Sequence, residues 1–255
     1  MIIVIMVFAI ISSIALQMDS LTKGDEGSKW AWATNSKTQF RWSFKSANTQ
    51  GFFLNAIVTN APQILLSVFY IAWNRVCTTF FFSLEWNNHG LIRKGLRVTT
   101  PHEGSDQRPA YFLQLPYKWA IPLISMSGLL HWLLSQSFFL IRIDVYDRDG
   151  ILQPQRSKST CGYSSLSLLV FCSIFLLILA GIYKLSRRPF QVCIPITVHC
   201  SFAISAACHP PPDDIDPYLK PVQWGVVNNR FKGNVEHCTF TSEEVKEPQD
   251  GHVYA

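Results

Sequence analysis

Two uncharged stretches decide the fold of this chain: Trp119–Ile141, WAIPLISMSGLLHWLLSQSFFLI, and Ser159–Tyr183, STCGYSSLSLLVFCSIFLLILAGIY. The second half of the latter is almost purely aliphatic and aromatic. A helix that crosses about 30 Å of hydrocarbon needs roughly 20 mainly apolar residues. The two stretches therefore predict transmembrane helices over 119–141 and 164–183.

The composition of the whole chain agrees with a lipid environment. Hydrophobic residues make up 48% of the 255 residues and charged residues only 15%, whereas a typical soluble domain has about 25% charged residues. The 18 Phe, 8 Trp and 8 Tyr exclude an intrinsically disordered chain, which would be poor in aromatics. The net charge of +5 comes largely from basic residues between the apolar runs. We therefore expect the lipid bilayer as partner, and no nucleic acid.

A further span is expected earlier in the chain, and two registers compete for it. In the preferred register Pro62 opens the helix and the span covers 62–84, which places Asn74 and Arg75 near mid-membrane. A charge at that depth costs at least a few kcal/mol unless it faces protein or water. The alternative register, about 54–73, moves Arg75 to the interface. Three amide side chains then enter the membrane: Asn55, Asn60 and Gln63.

The N-terminal region completes the predicted membrane part. Residues 1–18 are uncharged and form either an N-terminal apolar helix or a signal peptide, and 19–61 is a polar linker. A helical bundle then covers 62–209, with a short re-entrant or interfacial segment over about 194–207 that is too short to cross. The predicted fold is an all-α membrane protein with about four transmembrane helices.

The C-terminal residues 210–255 are polar and predict a soluble tail. Residues 221–227 and 236–245 are rich in strand-forming residues and are separated by Asn and Gly, which favours a β-hairpin. Basic residues lie close to the membrane ends in 85–118 and 184–188, and the positive-inside bias places both regions in the cytosol. The sequence does not distinguish the plasma membrane from an endomembrane.

Five polar residues near mid-span are the candidate site residues: His131, Arg75, Asn74, Gln63 and Gln136. Ionisable groups inside a membrane are functional hypotheses by default. The competing interpretation of His131 is a neutral imidazole hydrogen-bonded to a polar side chain on a neighbouring helix, with Asn74 and Gln63 as plausible partners. For Arg75 it is an interfacial arginine in the alternative register.

No catalytic, cofactor-binding or metal-binding residue is predicted. The chain lacks phosphate-binding, dinucleotide-binding, zinc-protease and serine-hydrolase motifs. Soft ligands do occur between Cys193 and Cys238, but their spacing matches no compact metal site. Free buried thiols are the simpler interpretation of these cysteines.

Several strings together resemble one known family. They include KGLRV at 94–98, YFLQLPY at 111–117, GLLHW at 128–132 and SAACHPP at 205–211. The chain resembles, over about 60–255, the C-terminal half of an uncharacterised family of fungal multi-pass membrane proteins whose N-terminal half carries a domain of unknown function. The resemblance implies a filamentous-fungal integral membrane protein without an assigned activity, and a chain that is a fragment or a shortened gene model.

Three functions are compatible with these observations. The favoured one is a non-enzymatic accessory, sensing or scaffold role in a membrane, with homo- or hetero-oligomers formed through the transmembrane helices. The second is a transporter or channel subunit that uses the polar residues near mid-span. The third is a membrane-bound metal or redox enzyme that uses the Cys and His residues.

Overall fold

The computed structural model describes residues 49–153, 156–192, 200–227, 236–249, 251–252 and 254. These residues form four α-helices, α1 Thr49–Leu91, α2 Tyr117–Ser137, α3 Ser165–Ser186 and α4 Ser201–Ala207. They also form six strands, β1 Arg97–Val98, β2 Arg108–Pro109, β3 Phe138–Ile143, β4 Lys158–Tyr163, β5 Gln223–Val227 and β6 His237–Thr241. Short 3-10 helices cover Phe112–Gln114 and Pro217–Leu219.

The chain divides into two compact units. The first unit consists of the described residues within Met1–Ala72 and Pro122–Leu185, and the second of those within Trp73–Ile121 and Ser186–Ala255. Helices α1 and α2 each contribute residues to both units.

Helix α1 is longer than the sequence predicts, and the predicted start at Pro62 is wrong. The helix begins at Thr49, so that residues 49–61 of the predicted linker are helical, and Pro62 lies in its interior. A proline inside a helix removes one backbone hydrogen bond, and α1 continues through Pro62 despite this loss. With 43 residues at 1.5 Å each, α1 is about 65 Å long, roughly twice the thickness of a hydrocarbon core.

Helix α2 is shorter than the predicted span 119–141. It ends at Ser137, and Phe138–Ile143 form β3, which pairs antiparallel with β4. The segment FFLIRI contains aromatic and β-branched residues, which favours a strand. In the partner strand β4, Gly162 lies opposite Phe139 and leaves space for its ring. A Cβ on Gly162 would come too close to the ring of Phe139, so a larger residue there would have to displace that ring. The predicted span 119–141 did not include this second hairpin, which begins at Phe138.

The first unit has a three-helix core. Leu66 from α1, Leu130 and Leu133 from α2, and Phe171 and Phe175 from α3 are buried against one another. Phe69 packs on Phe175 with the ring centroids 4.4 Å apart. The helix predicted over 164–183 is observed as α3.

Two helices among the described residues are long and apolar enough to cross a membrane by length and composition: Gln50–Leu91 and Leu166–Ser186. Only 17% and 22% of their apolar windows are buried within the protein. Helix α2, which the sequence predicts as a transmembrane helix, is not one of these two. Its Ser, His and Gln residues lower its mean hydropathy.

The second unit is built around the antiparallel pair of β5 and β6, which lie in the two stretches where the sequence predicts a hairpin. Trp224 pairs with Phe240, and Val192, Ala207 and Trp224 form a small buried core. Strands β1 and β2 pair in parallel, and Lys94 bridges to Val222.

Parts of the predicted organisation lie outside the described residues. The N-terminal apolar segment 1–18, most of the linker and the hairpin turn at 228–235 are among them. Of the predicted re-entrant segment 194–207, residues 201–207 form α4, whose seven residues are exposed or half-buried except for Ala207.

Candidate functional site

Two of the five predicted site residues form a pair in the first unit. Nδ1 of His131 lies 2.8 Å from Oε1 of Gln63, and Nε2 of Gln63 donates to the backbone carbonyl of His131 over 3.2 Å. The amide of α1 therefore contacts both the ring and the backbone of one residue of α2. This is the arrangement of a structural imidazole whose partner is a neighbouring helix, which the sequence offered as the alternative to a functional histidine.

Further polar residues inside the first unit were not predicted. Asn55 is completely buried and donates to the backbone carbonyl of Ser159 over 3.1 Å. The hydroxyls of Ser137 and Ser167 lie 2.9 Å apart, and Ser167 also donates to the carbonyl of Leu133. Buried serines whose hydroxyl groups bond to backbone carbonyls are hard to predict from the sequence, because serine also occurs on exposed helix faces.

The other three predicted residues do not join the His131–Gln63 pair in the described contacts. Gln136 is half-buried on α2, five residues after His131. Asn74 is half-buried and accepts the Thr78 hydroxyl at its backbone carbonyl, and Arg75 is exposed. Asn74 and Arg75 belong to the second unit, whereas the pair belongs to the first.

The cysteine and histidine residues do not assemble into a metal site in the described part of the chain. No group of three or more His, Cys, Asp or Glu residues there has a geometry that could hold a metal ion. Cys193 and His199 lie outside the described residues. Cys200 and Cys208 are exposed, and Nδ1 of His209 contacts the carbonyl of Ser205 at 2.7 Å.

The second unit contains a cavity of about 520 Å³, a feature that the sequence did not predict. Its volume lies in the range of about 300–1,000 Å³ that is usual for small-molecule sites. Helix α1 contributes one wall: Phe81, Phe82, Glu85, Trp86 and His89. The segments after it contribute a second: Leu96, Arg97, Tyr111, Gln114 and Pro116. The C-terminal part closes it mainly with apolar residues, including Ile204, Pro217, Val222 and Phe240.

Arg97 is the charged donor of the cavity wall. Its Nη2 donates to the Tyr111 hydroxyl over 2.6 Å, and its Nη1 to the carbonyl of Pro109 over 3.1 Å. The guanidinium carbon also lies 3.9 Å from the centroid of the Tyr111 ring. Nε is buried without a hydrogen bond, although it is 3.3 Å from Oε1 of Glu85. The guanidinium is thus fixed in position while part of its donor capacity is unused.

Glu85 lies between two arginines. Its Oε1 accepts from Nη2 of Arg108 at 2.5 Å and forms an ion pair with Arg97. Arg108 also donates through Nε to the carbonyl of Gly95 over 2.9 Å. The cluster of one carboxylate and two guanidinium groups therefore carries a net charge of +1 beside an otherwise apolar cavity.

Tight backbone contacts hold the walls of the cavity together. A Cβ on Gly95 would lie 1.7 Å from the carbonyl oxygen of Asp106, so that the backbone can approach this closely only at a glycine. Leu113 and Gln114 have φ angles of 61° and 60°. A left-handed conformation at a non-glycine residue costs about 1–3 kcal/mol and is often found at functional sites.

A buried carboxylate holds the C-terminal strand of the second unit. Oδ2 of Asp214 accepts from the Thr241 hydroxyl at 2.7 Å and from the Ser242 backbone N–H at 2.8 Å, and Oδ1 accepts from the Ser242 hydroxyl. Burial alone would raise the pKa of Asp214, but these hydrogen bonds, with Lys220 3.7 Å away, hold the pKa below its ordinary value.

The sequence did carry one signal for the cavity. Three of the strings that support the family resemblance supply wall residues: Leu96 and Arg97, then Tyr111, Gln114 and Pro116, then Cys208 and Pro210. They are separated by up to about a hundred residues along the chain, so that only the fold shows that they share one wall.

A family model described as a domain of unknown function, DUF8419, matches residues 1–236. The chain belongs to the DUF8419 family. The matched DUF8419 region contains every residue that lines the cavity except Phe240, and both partners of the His131–Gln63 pair. No curated protein and no solved structure matches the chain.

Proposed function

We propose that this DUF8419 protein is a multi-pass integral membrane protein with a non-enzymatic sensing or accessory role, and that it binds a small ligand in the cavity of its second unit. The helices of the first unit form the membrane part. The filamentous-fungal origin stays a prediction from the family resemblance.

The observation that carries the proposal is the distribution of side chains in the first unit. Large apolar residues point outward: Ile57, Ile64, Leu65, Val68, Ile71 and Leu177 are each at least 60% exposed. Polar residues lie inside, where Asn55, Ser137 and Ser167 have no exposed surface. In water these large apolar side chains would be hydrated, and soluble monomers rarely expose such side chains in large groups. In lipid their exposure costs nothing, because acyl chains are as apolar as leucine.

The structure also supports the alternative register for the first described span. Residues 49–72 of α1 belong to the first unit, and 24 residues rise about 36 Å, enough to cross a bilayer. The three amides that spoke against this register have partners: Asn55 bonds to Ser159, Gln63 to His131, and Asn60 to the backbone carbonyl of Ala56. With this register the exposed Arg75 lies at the end of the span and not inside it.

Basic residues support an orientation. The chain passes between the two units at 72–73, 121–122 and 185–186. Arg75, Lys118 and Lys184 each lie within four residues of one of these passages. Exposed aromatic residues flank Lys118, as is common at membrane interfaces: Tyr117 and Trp119. By the positive-inside bias, these residues support a cytosolic location for 85–118 and 184–188.

The cavity supports a binding role more than a catalytic one. Its carboxylate, Glu85, is engaged by two arginines, and Arg97 is fixed by Tyr111 and a backbone carbonyl. Groups held in this way can orient a ligand, whereas a general base must be free to accept a proton from the substrate.

Membrane extraction combined with thiol labelling tests the proposal. We expect the full chain to stay in the membrane pellet in alkaline carbonate and to dissolve only in detergent. The exposed Cys200 and Cys208 should react with a membrane-impermeant maleimide in permeabilised cells and not in intact ones. A chain that stays soluble and monomeric without detergent would refute the membrane part, and labelling of intact cells would refute the orientation.

A further inference from the structure

We propose that the cavity of the second unit binds a single-chain amphiphile with one carboxylate, such as a medium- or long-chain fatty acid, and that Arg97 receives the carboxylate. This inference rests on the proposed binding role and adds the chemical class of the ligand. It is argued from the size of the cavity, its charge and the unused donors of Arg97.

The size and the walls of the cavity suit an acyl chain. At roughly 30 Å³ for a water-sized group, 520 Å³ holds about 17 such groups. The walls are mainly aromatic and aliphatic, with Phe81, Phe82, Ile204 and Val222 among them. Apolar surface of this kind stabilises a chain by removing it from water, and it contributes nothing to a compact polar ligand.

The charge of the site selects a monoanion. Glu85, Arg97 and Arg108 together carry −1 + 1 + 1 = +1. A carboxylate brings this sum to zero. A phosphate monoester, with a charge near −1.5 to −2, would leave a negative excess beside Glu85, and a cationic headgroup would add to the positive charge.

The geometry of Arg97 suits a carboxylate. Within the described part of the chain, two of the five guanidinium N–H groups make hydrogen bonds, to Tyr111 and to the carbonyl of Pro109. Arg97 and Tyr111 both line the cavity, and of the remaining guanidinium donors Nε lies 3.3 Å from Oε1 of Glu85. A planar guanidinium pairs with a carboxylate through two parallel hydrogen bonds, which fixes both affinity and orientation.

Competition binding in a neutral bilayer tests the inference. The full chain, in nanodiscs of phosphatidylcholine, is titrated with dodecanoate, dodecanol and dodecyl phosphate. Each ligand is scored by its protection of Cys208, which lines the cavity, against maleimide, with the exposed Cys200, outside the cavity lining, as the internal control. We expect dodecanoate to slow the labelling of Cys208 and to leave Cys200 unchanged.

Two variants and one control test separately how the cavity recognises the carboxylate and the acyl chain of the ligand. In Arg97→Gln the preference for dodecanoate over dodecanol should fall about tenfold, because one charge-assisted pair is lost. Partition of the ligands into lipid is the same for both proteins, so the change in the ratio reports the site. Arg93→Gln is the matched control: Arg93 also donates to a backbone carbonyl, that of Glu243, but does not line the cavity. Ile204→Trp fills the cavity and should abolish protection by all three ligands.

The outcomes distinguish this inference from the proposed function. If dodecanol protects Cys208 as well as dodecanoate does, and Arg97→Gln changes nothing, the cavity binds ligands but the carboxylate assignment is wrong. Tighter binding of dodecyl phosphate would also overturn it. If no ligand protects Cys208, and Ile204→Trp behaves like the native protein, the proposed binding role fails as well.

Discussion

Both units of this protein have an apolar core with some buried polar side chains, and they differ in the long helix faces of the first unit, which carry large exposed apolar side chains. In the first unit the side chains with no exposed surface include Asn55, Ser137 and Ser167, while leucine and isoleucine cover the outside. In the second unit Val222, Trp224 and Val226 are buried. The hydrophobic effect in water explains the apolar cores of both units, but it does not explain the exposed leucine and isoleucine side chains of the first unit. This difference is the basis of the proposal that lipid covers the first unit.

The largest expected effect is the difference between two arginine substitutions, one on the outer face of each unit. Leu177 in α3 and Ile215 in the second unit are both 73% exposed. Leu177→Arg should reduce insertion or stability by about 2.5–3.5 kcal/mol, the cost of arginine at the centre of a membrane helix. Ile215→Arg should stay within about 0.5 kcal/mol, as substitutions on a hydrated surface do.

The measurement for this pair is the carbonate-resistant fraction together with thermal unfolding in nanodiscs. Equal exposure makes Ile215 the matched control for Leu177. Equal tolerance of both arginines would remove the contrast between the units.

A smaller effect is expected at Asp214, which the second unit holds through three hydrogen bonds. Asp214→Asn should destabilise this unit by about 1.5–3 kcal/mol, the usual contribution of hydrogen bonds to a charged group. Because the folded pKa is lowered, the carboxylate stabilises the unit fully above its unfolded pKa, and this contribution is lost as the pH falls through the folded pKa. The variant should lack that acid-dependent loss.

Cys238 reports the opening of the second unit in this experiment. It lies in β6, and burial, with a contribution from Glu236, raises the pKa of its thiol to about 11. Few thiolates therefore exist at neutral pH, and labelling of Cys238 should follow unfolding. Rapid labelling of Cys238 in the native protein, or an unchanged acid dependence in Asp214→Asn, would contradict the assignment.

The smallest effect is expected at the pair of Gln63 and His131. Hydrogen bonds between membrane helices average about 0.6 kcal/mol in double-mutant cycles. Gln63→Leu, His131→Leu and the double variant should therefore show a coupling near that value in thermal unfolding. Gln136→Leu, on the same helix but outside the pair, should show no coupling with Gln63→Leu.

This cycle also tests the transporter hypothesis. If Gln63 and His131 serve structure alone, the double variant should keep the ligand binding of the native protein, and ion flux in reconstituted vesicles should not change. A loss of flux with an intact fold would favour the channel or transporter function.

The sequence predicts helices well where a long uncharged run is purely aliphatic, as in α3. The prediction fails where an apolar run continues from a helix into a strand. The residues FFLI, which follow α2 and form β3, fit a helix or a strand equally well by hydropathy. It also fails at Pro62, which was predicted in the first turn of the helix and lies in the helix interior. The decisive information, a partner strand with Gly162 and neighbouring helices, comes from tertiary contacts.

The cavity shows a different limit. Arg97 and Tyr111 are ordinary polar residues in a sequence, and Glu85 is an isolated acidic residue in an apolar helix. Their common role arises from pairing between segments, with Gly95 allowing the close approach to Asp106. By contrast, the sequence analysis named Gln63, with Asn74, as a plausible partner of His131, because an imidazole within a predicted span needs a polar partner.

The central claim is that acyl chains cover the outer face of the first unit. The most direct test is the accessibility of spin labels, placed singly at Leu177 and at Ile215, to oxygen and to a water-soluble nickel chelate in nanodiscs. The account predicts high oxygen and low nickel accessibility at Leu177, and the reverse at Ile215. High nickel accessibility at Leu177 would show that water covers this face and would contradict the account.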